Sequence, residues 1–538
     1  MSNLQNLQSR LWDMANKLRG SMDASEYKNY ILAFIFYRYL SEKEIEYLMD
    51  QDLVTPEDGE TPNEAFIRDA SDERDWLDYK KDLTSVLGYA IKPENTWDSL
   101  VKKVNDSEVI PSDYQNLFDS FNESTRMNKD AEKDFKGIFS DVNLGDSRLG
   151  TTTNERARSL GRIVDLVNQI EYTDDSGKDV LGAIYEYLIG QFAANAGKKG
   201  GEFYTPHEVS VIMSKIVTEG FHDNHKVFTV FDPACGSGSL LLTVGQELGD
   251  ANRPGAIKYY GQELNTTTYN LARMNLMMHG VAYQDMSLRN ADTLGTDWPD
   301  GPNAQGIDQP RSFDAVVANP PYSANWNAEE SMIKDPRFKD FGKLAPKSKA
   351  DFAFLLDGLY HLNDQGTMAI VLPHGVLFRG AAELKIRETL IKKNYIDTII
   401  GLPSNLFFGT GIPTIILVLK RNKPNKDVLF IDASNDFKKA KNKNILTEEN
   451  VDKIFNAYME RKDIEKYAHV ASIEEIREND YNLNIPRYVD TSEEEEEINL
   501  QDVLKRIHED DKEIAELNLF INEQLRLLGV LKDGEPGL

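Results

Sequence analysis

The chain has 538 residues, 40% hydrophobic and 10% aromatic, which supplies a sizeable core, excludes global disorder and, at about 150 residues per domain, suggests three to four domains. Acids outnumber bases by 89 to 61, and 61 − 89 = −28 argues against a protein that grips nucleic acid unaided, since that affinity comes mostly from Lys and Arg displacing counterions. One cysteine, Cys235, excludes a disulfide framework and a multi-cysteine zinc site, and no metal site is expected. The first residues lack the basic start and apolar run of a signal peptide. The most apolar long stretch, Tyr30 to Leu40, holds Arg38 and is too short for the roughly 20 residues of a membrane span. The expectation is a soluble cytoplasmic chain with no membrane contact.

Residues 1–170 read as a helical domain. Leu4, Leu7, Leu11, Met14 and Leu18 recur at the three- and four-residue steps of one helix face, and Gly20 ends the run. Asp23 with Glu26 resembles a cap and its partner for a helix over Tyr27–Leu48. This region either packs on itself or serves as a clamp or subunit contact. From about 175 to 435, short β-rich runs alternate with helical stretches: Val227–Phe231, Ile257–Tyr260, Phe313–Ala318, Thr367–Leu372, Thr398–Ile400 and Thr414–Leu419. That alternation predicts a mostly parallel α/β sheet with helices on both faces, binding ligands at the carboxyl ends of its strands. Residues 436–490 are polar and mixed. Five acids, Glu493–Glu497, precede a seven-residue repeat of Leu500, Ile507, Ile514, Ile521 and Leu528, with Val503, Leu517 and Leu525 near the second seam position. Asp510 and Gln524 interrupt that seam. The pattern predicts a long amphipathic helix ending near Gly529 and packing on a partner.

The unusual residues fall at the expected strand ends. Asp232-Pro-Ala-Cys-Gly236-Ser237-Gly238-Ser239 follows an apolar strand and opens a helix. Its glycines permit a tight turn and close ligand approach, and its Asp suits a ligand with a positive amino group. Leu241 stands where a dinucleotide fingerprint would have its third glycine, which counts against NAD. Glu263, after the next strand, suits the two hydroxyls of a ribose, and Asp292 suits an exocyclic adenine amine. The most specific signal is an apolar strand running into Asn319-Pro320-Pro321-Tyr322. A planar NH2 conjugated to a ring is a poor nucleophile because its lone pair is delocalised. The Asn319 oxygen and the Pro320 carbonyl can accept its hydrogens and favour a tetrahedral nitrogen. Tyr322 offers a face on which a base stacks, worth about 1–3 kcal/mol.

These motifs resemble the cofactor and catalytic motifs of amino-group methyltransferases that use S-adenosyl-L-methionine. Upstream, Gly201-Glu202-Phe203-Tyr204-Thr205-Pro206-His207 resembles the additional cofactor motif of N6-adenine DNA methyltransferases. The motif order, with a helical front and tail, resembles the modification subunit of type I restriction-modification systems. The likeness includes Gly342-Lys-Leu-Ala-Pro-Lys-Ser-Lys-Ala-Asp-Phe-Ala-Phe and Leu372-Pro-His-Gly-Val-Leu-Phe-Arg-Gly. It implies a Rossmann-like S-adenosylmethionine-dependent methyltransferase core between an N-terminal helical domain and a C-terminal helical tail. Glu202, Phe203, Tyr204, Thr205, Pro206 and His207 would border the methionine end of the cofactor. Asp232, Gly236, Ser237, Gly238 and Ser239 would wrap its amino acid and sulfonium, Glu263 the ribose and Asp292 the adenine amine. Asn319 to Tyr322 would receive an adenine flipped from the duplex. Cys235 reads as a small buried filler, and Ala234 stands where the family's pattern often has Thr.

Two weaker features fit. Arg337, Lys339, Lys343, Lys347 and Lys349 form a basic segment read either as an exposed loop or as phosphate contacts, and Phe407 and Phe408 either wall the base pocket or belong to the core. The implied division is a helical domain over 1–170, a catalytic domain over 171–480, and a linker with an amphipathic helix over 481–538. The implied partners are double-stranded DNA, a sequence-reading specificity subunit, a restriction subunit with the ATPase and nuclease, and a second copy of the chain. A Walker A pattern is lacking, so ATP hydrolysis would belong to another chain. The rival readings are a protein-glutamine N5 methyltransferase, whose acceptor is also a planar amide, and a cofactor-binding scaffold.

Overall fold

The computed structural model describes residues 12, 24–171, 181–195, 205–221, 226–249, 255–299, 305, 310–407, 410–440, 443–491, 500–532, 534 and 536–537. The apolar stripe of Leu4 to Leu18, the cap at Asp23, Glu202, Phe203, Tyr204, Phe408 and the acidic run Glu493–Glu497 lie outside the described residues. Two compact units emerge, Met1–Asp490 and Thr491–Leu538.

The first unit begins with helices. Ala24–Asp50 carries Tyr30, Ile31, Leu32, Phe34, Ile35 and Phe36 in close succession, all buried. A helix apolar on every side belongs at the centre of its domain. Trp97, Tyr114 and Phe118 pack around Phe34, with ring centroids 6.0–6.4 Å away. Arg38 does not break this core: its Nη1 donates to the Val167 and Ile170 carbonyls at 2.7 and 3.0 Å. The surrounding helices start where short polar side chains take up free N–H groups. Thr61 with Glu64 and Thr152 with Glu155 form capping boxes.

The sheet behind these helices has nine strands. In chain order they are β1 (Phe228–Asp232), β2 (Ile257–Glu263), β3 (Met286–Asn290), β4 (Phe313–Ala318), β5 (Leu362–Pro373), β6 (Ile396–Gly401), β7 (Thr414–Lys420), β8 (Val428–Asp432) and a last strand, Ala468–Ala471. Across the sheet, the last strand lies beside β8, followed by β6, β7, β5, β4, β1, β2 and β3. The expected parallel α/β core is present, with two additions. Strand β7 runs antiparallel between β5 and β6, and Ala468–Ala471 runs antiparallel along β8. β5 also starts five residues earlier than its apolar run, because the polar Asn363 to Gln365 segment is carried by the pairing of Leu362 with Phe313. β4 and β5 are buried along nearly their full apolar length, as strands covered on both faces must be.

The chain leaves β1 towards β2 and β3 on one side and returns to β4 on the other. The carboxyl ends of β1 and β4 therefore flank the point where strand order reverses, which is where open α/β sheets bind ligands. Leu483, Ile485, Tyr488 and Val489 close the far side of this unit, with Tyr488 stacked 3.9 Å from Phe430.

The second unit is one helix, Leu500–Leu527, with no buried residue. Leu500, Ile507, Ile514, Ile521 and Leu528 are 39–74% exposed. Gly529, at φ +71°, ends the helix at the expected place. Among the described residues no helix is long and apolar enough to cross a membrane.

Candidate active site at the carboxyl edge of the sheet

The loop after β1 is shaped by two left-handed glycines, Gly236 at φ +54° and Gly238 at φ +78°. Around Gly236 a Cβ would meet open space, whereas at Gly238 it would lie 2.5 Å from Leu276 Cδ1. The loop is thus open at its mouth and closed at its floor. Helix Ser239–Glu247 starts directly after it. Asp232 ends β1 almost wholly buried, accepting the Ala234 N–H at 2.9 Å. Burial, reinforced by the neighbouring Glu263 carboxylate, pushes its carboxyl up to about 8 against the pull of that hydrogen bond. Cys235 packs against Gly261, where a Cβ would come within 3.0 Å of its sulfur. Burial raises its thiol well above the usual range, so it is a filler and no nucleophile.

Glu263 ends β2 and braces the loop rather than standing free. Its Oε2 accepts the Gly236 N–H at 3.1 Å and its Oε1 the Asn265 N–H at 2.8 Å. Leu264, next in sequence, is 71% exposed. It is an exposed apolar face beside Glu263, outside the expected set of site residues. Asp292 is exposed after β3, its Oδ1 capping the Leu294 N–H at 3.1 Å, while Thr293 Oγ1 donates to the Pro233 carbonyl at 2.6 Å. The ends of β1 and β3 are thereby joined. Ser237 and Ser239 hydroxyls lie 3.2 Å apart, and Asn275 Nδ2 donates to the Ser237 carbonyl at 2.9 Å. Asn275 is a further residue outside the expected set, although a fully buried Asn amid Leu and Met is a sequence signal for such a bond.

The Asn-Pro-Pro-Tyr segment leaves β4 beside this loop. Asn319 Nδ2 donates to Thr205 Oγ1 at 3.0 Å, and the Tyr322 hydroxyl donates to Asn319 Oδ1 at 2.9 Å. Thr205 therefore touches the Asn-Pro-Pro-Tyr segment itself. Pro206 precedes helix His207–Thr218, and His207 is exposed at its first turn. The Tyr322 ring meets Phe407 edge-on at 6.0 Å, and Phe407 is buried, so it both walls this corner and belongs to the core. The two further motifs of the sequence converge here. Asp351 Oδ1 accepts the Ser323 N–H at 2.7 Å, and its Oδ2 accepts from Arg379 Nη1 at 3.0 Å. The turn that carries Tyr322 is held by a carboxylate from one motif, itself held by an arginine from the other.

Arg337 corrects an expectation. It is 2% exposed and is no phosphate contact. Its guanidinium donates to the Thr293 and Gly295 carbonyls at 2.7 and 2.6 Å and pairs with Asp335 and Asp357 at 2.8 and 2.9 Å. It pins the loop that carries Asp292. Lys339, Lys343 and Lys347 from the same segment are exposed, and Lys349 is half-buried.

Comparison with known proteins shows the family. The model of the N-6 DNA Methylase family matches residues 176–497, and that of the HsdM N-terminal domain matches 7–167. This chain belongs to the N-6 DNA methylase family. Among its relatives, the type I restriction enzyme MpnII methylase subunit of Mycoplasma pneumoniae is 38% identical, covering 92% of this chain and 91% of its own. The MjaVII methylase subunit of Methanocaldococcus jannaschii is 32% identical over 95% and 82%. The crystal structure of a type I restriction-modification methyltransferase subunit from Streptococcus thermophilus is 45% identical, with a TM-score of 0.81, covering 90% of this chain and 99% of its own. The ends of β4 and β1 bring Asn319 and the glycine loop together.

Proposed function

We propose that this chain is the methylating subunit of a type I restriction-modification complex. It transfers a methyl group from S-adenosyl-L-methionine to N6 of an adenine turned out of double-stranded DNA. The observation that carries the reading is the hydrogen-bonded set Thr205–Asn319–Tyr322 at the end of β4, adjacent to the glycine loop of β1.

The residues fit the cofactor. The buried Asp232 carboxylate suits its ammonium, and the open mouth at Gly236 admits the chain. Ser237, Gly238 and Ser239 line its sulfonium side. Thr205, Pro206 and His207, continuing Glu202, Phe203 and Tyr204, border its methionine end. Glu263, held by the Gly236 and Asn265 N–H groups, places its carboxylate for the ribose. Leu264 offers an apolar face to the purine and Asp292 an acceptor to its amine. When bound, the cofactor supplies an electrophilic methyl group.

The chain's own residues position the acceptor. Asn319 Oδ1 and the Pro320 carbonyl take the two N6 hydrogens, drawing the nitrogen lone pair out of conjugation and aiming it at the methyl carbon. Thr205 fixes the Asn319 amide so that its oxygen, not its nitrogen, faces the amine. Tyr322 stacks on the base, with Phe407 behind it. Pro320 and Pro321 hold the backbone and bring no competing donors. Orientation does most of the work, and the proton leaves after attack. The net charge of −28 and the bare apolar stripe of Leu500–Leu527 support a division of labour. A specificity subunit packs on that helix and reads the sequence. A restriction subunit brings the ATPase and nuclease, and a second copy of this chain serves the other half-site.

The test uses the chain with its specificity subunit, labelled cofactor and unmethylated DNA, followed by digestion to nucleosides. N6-methyladenine is expected with the wild type and none with Asn319→Ala, whose cofactor affinity stays unchanged. Undiminished methylation by Asn319→Ala refutes the assignment, and label on protein in place of DNA moves the acceptor to a protein amide.

A further inference from the structure

The segment Phe437-Lys-Lys-Ala-Lys-Asn-Lys-Asn-Ile-Leu-Thr447 holds four lysines and no acid, in a chain with 89 acids. Within it Lys438–Lys439 pairs antiparallel with Asn444–Ile445, the two arms of a small hairpin, while residues 441 and 442 lie outside the described residues. The hairpin is fixed beside the catalytic corner from two directions. Asn444 donates from its backbone N–H to the Asn405 carbonyl at 2.9 Å and from Nδ2 to the Ser404 carbonyl at 2.8 Å. That loop continues into Phe407, the ring against Tyr322. On the other side, the half-buried Lys443 feels the Glu208 carboxylate of helix His207–Thr218, the helix that follows Thr205 and Pro206. Lys438 and Lys439 are exposed and make no ion pair among the described residues, whereas Lys226, Lys258, Lys392, Lys393 and Lys453 each hold a carboxylate.

Two exposed lysines cost little by themselves, but their position is informative. A duplex approaching a molecule of net charge −28 is repelled unless positive charge is concentrated where it docks. We propose that the hairpin around Lys438, Lys439 and Lys443 is a docking surface for the phosphodiester backbone of duplex DNA flanking the flipped adenine. The proposal rests on the methylase reading above and adds a contact surface to it. The lysines neutralise phosphates without reading bases, so they hold the duplex in register while Tyr322 and Asn319 receive the base.

The experiment titrates unmethylated duplex DNA against the intact complex at several salt concentrations. Lys438→Gln/Lys439→Gln should lower the slope of log K against log salt by about 1.8, at about 0.9 for each phosphate that is no longer neutralised. Turnover at saturating DNA and cofactor affinity should not change. A control pair, Lys129→Gln/Lys133→Gln on the helical domain, removes the same charge. An unchanged slope, or an equal drop in the control, overturns the proposal. Loss of the specificity subunit from the purified Lys438/Lys439 variant overturns it too, by assigning the hairpin to a protein partner. A wild-type complex that neither binds nor methylates DNA instead removes the methylase reading on which the proposal stands.

Discussion

Cofactor binding should release a proton, and the proton should come from Asp232. With its carboxyl pushed up to about 8 by burial, Asp232 is protonated in about 0.9 of molecules at pH 7. An ammonium group held against it favours the carboxylate and draws its pKa back down. The sign follows: binding selects the ionised form, so affinity rises with pH until the free protein's Asp232 is itself ionised. If only the ionised form binds, the apparent dissociation constant scales as one plus the ratio of protonated to ionised Asp232, which falls from about 101 at pH 6 to about 11 at pH 7, a tightening of about ninefold. Titration calorimetry of S-adenosyl-L-methionine into the purified chain, repeated at pH 7 in phosphate and in Tris, measures the proton directly. The two observed enthalpies should differ by about 0.9 times the difference in buffer ionisation enthalpy. Asp232→Asn should bind more weakly, with no pH or buffer dependence. Equal enthalpies in both buffers and a flat affinity between pH 6 and pH 7 in the wild type would refute the placement of the ammonium at Asp232.

Other perturbations separate packing from chemistry. Gly238→Ala places a Cβ 2.5 Å from the buried Leu276 Cδ1 on a backbone at φ +78°; the left-handed conformation costs about 1–2 kcal/mol and the overpacking about 1–3 more, so both the urea midpoint and cofactor affinity should fall. Arg337→Met leaves Asp357, 1% exposed, without its cation, and breaking such a buried pair costs about 3–5 kcal/mol in urea denaturation, with Arg337→Lys recovering only part because it lacks the planar fork. Deleting residues 498–538 should release the specificity subunit in co-purification while leaving cofactor affinity intact; full co-purification of the truncated chain would place the interface elsewhere.

The sheet is legible in the sequence because several of its strands are apolar runs stopped by residues that plain turns rarely use, and the structure brings those motifs to one edge of the sheet. Asp232-Pro, Gly-Gln-Glu263 and Asn319-Pro-Pro-Tyr announce both a strand and its ligand edge. The direction of β7 is not legible, because Thr-Ile-Ile-Leu-Val-Leu is the same pattern whichever way the strand runs. Arg337 misleads because its neighbours in sequence are lysines. Its partner Asp335 is two residues away, but Asp357 and the Thr293 and Gly295 carbonyls reach it only through the tertiary fold. The hairpin of Lys438 and Lys439 gives no signal because residues 436–490 lack a hydrophobic period. Its meaning depends on Ser404 and Asn405, which lie more than thirty residues earlier.

Helix Thr266–Met278 explains why the helical region and the catalytic sheet fold into one unit. From one side Arg273 Nη1 donates to the Asp134 and Lys136 carbonyls at 2.8 and 3.0 Å, and Asn270 donates to Asp141 at 2.6 Å. The Tyr39 hydroxyl, on the central helix, donates to the Met277 carbonyl at 2.8 Å. From the other side Asn275 holds the Ser237 carbonyl and Leu276 fills the space beneath Gly238. A single helix thus takes its position from the helical region and passes it to the floor of the cofactor loop. Close-packed interiors transmit such displacements instead of absorbing them. A disturbance of the 134–141 segment, far in sequence from the glycine loop, is therefore expected to shift Ser237 and Gly238.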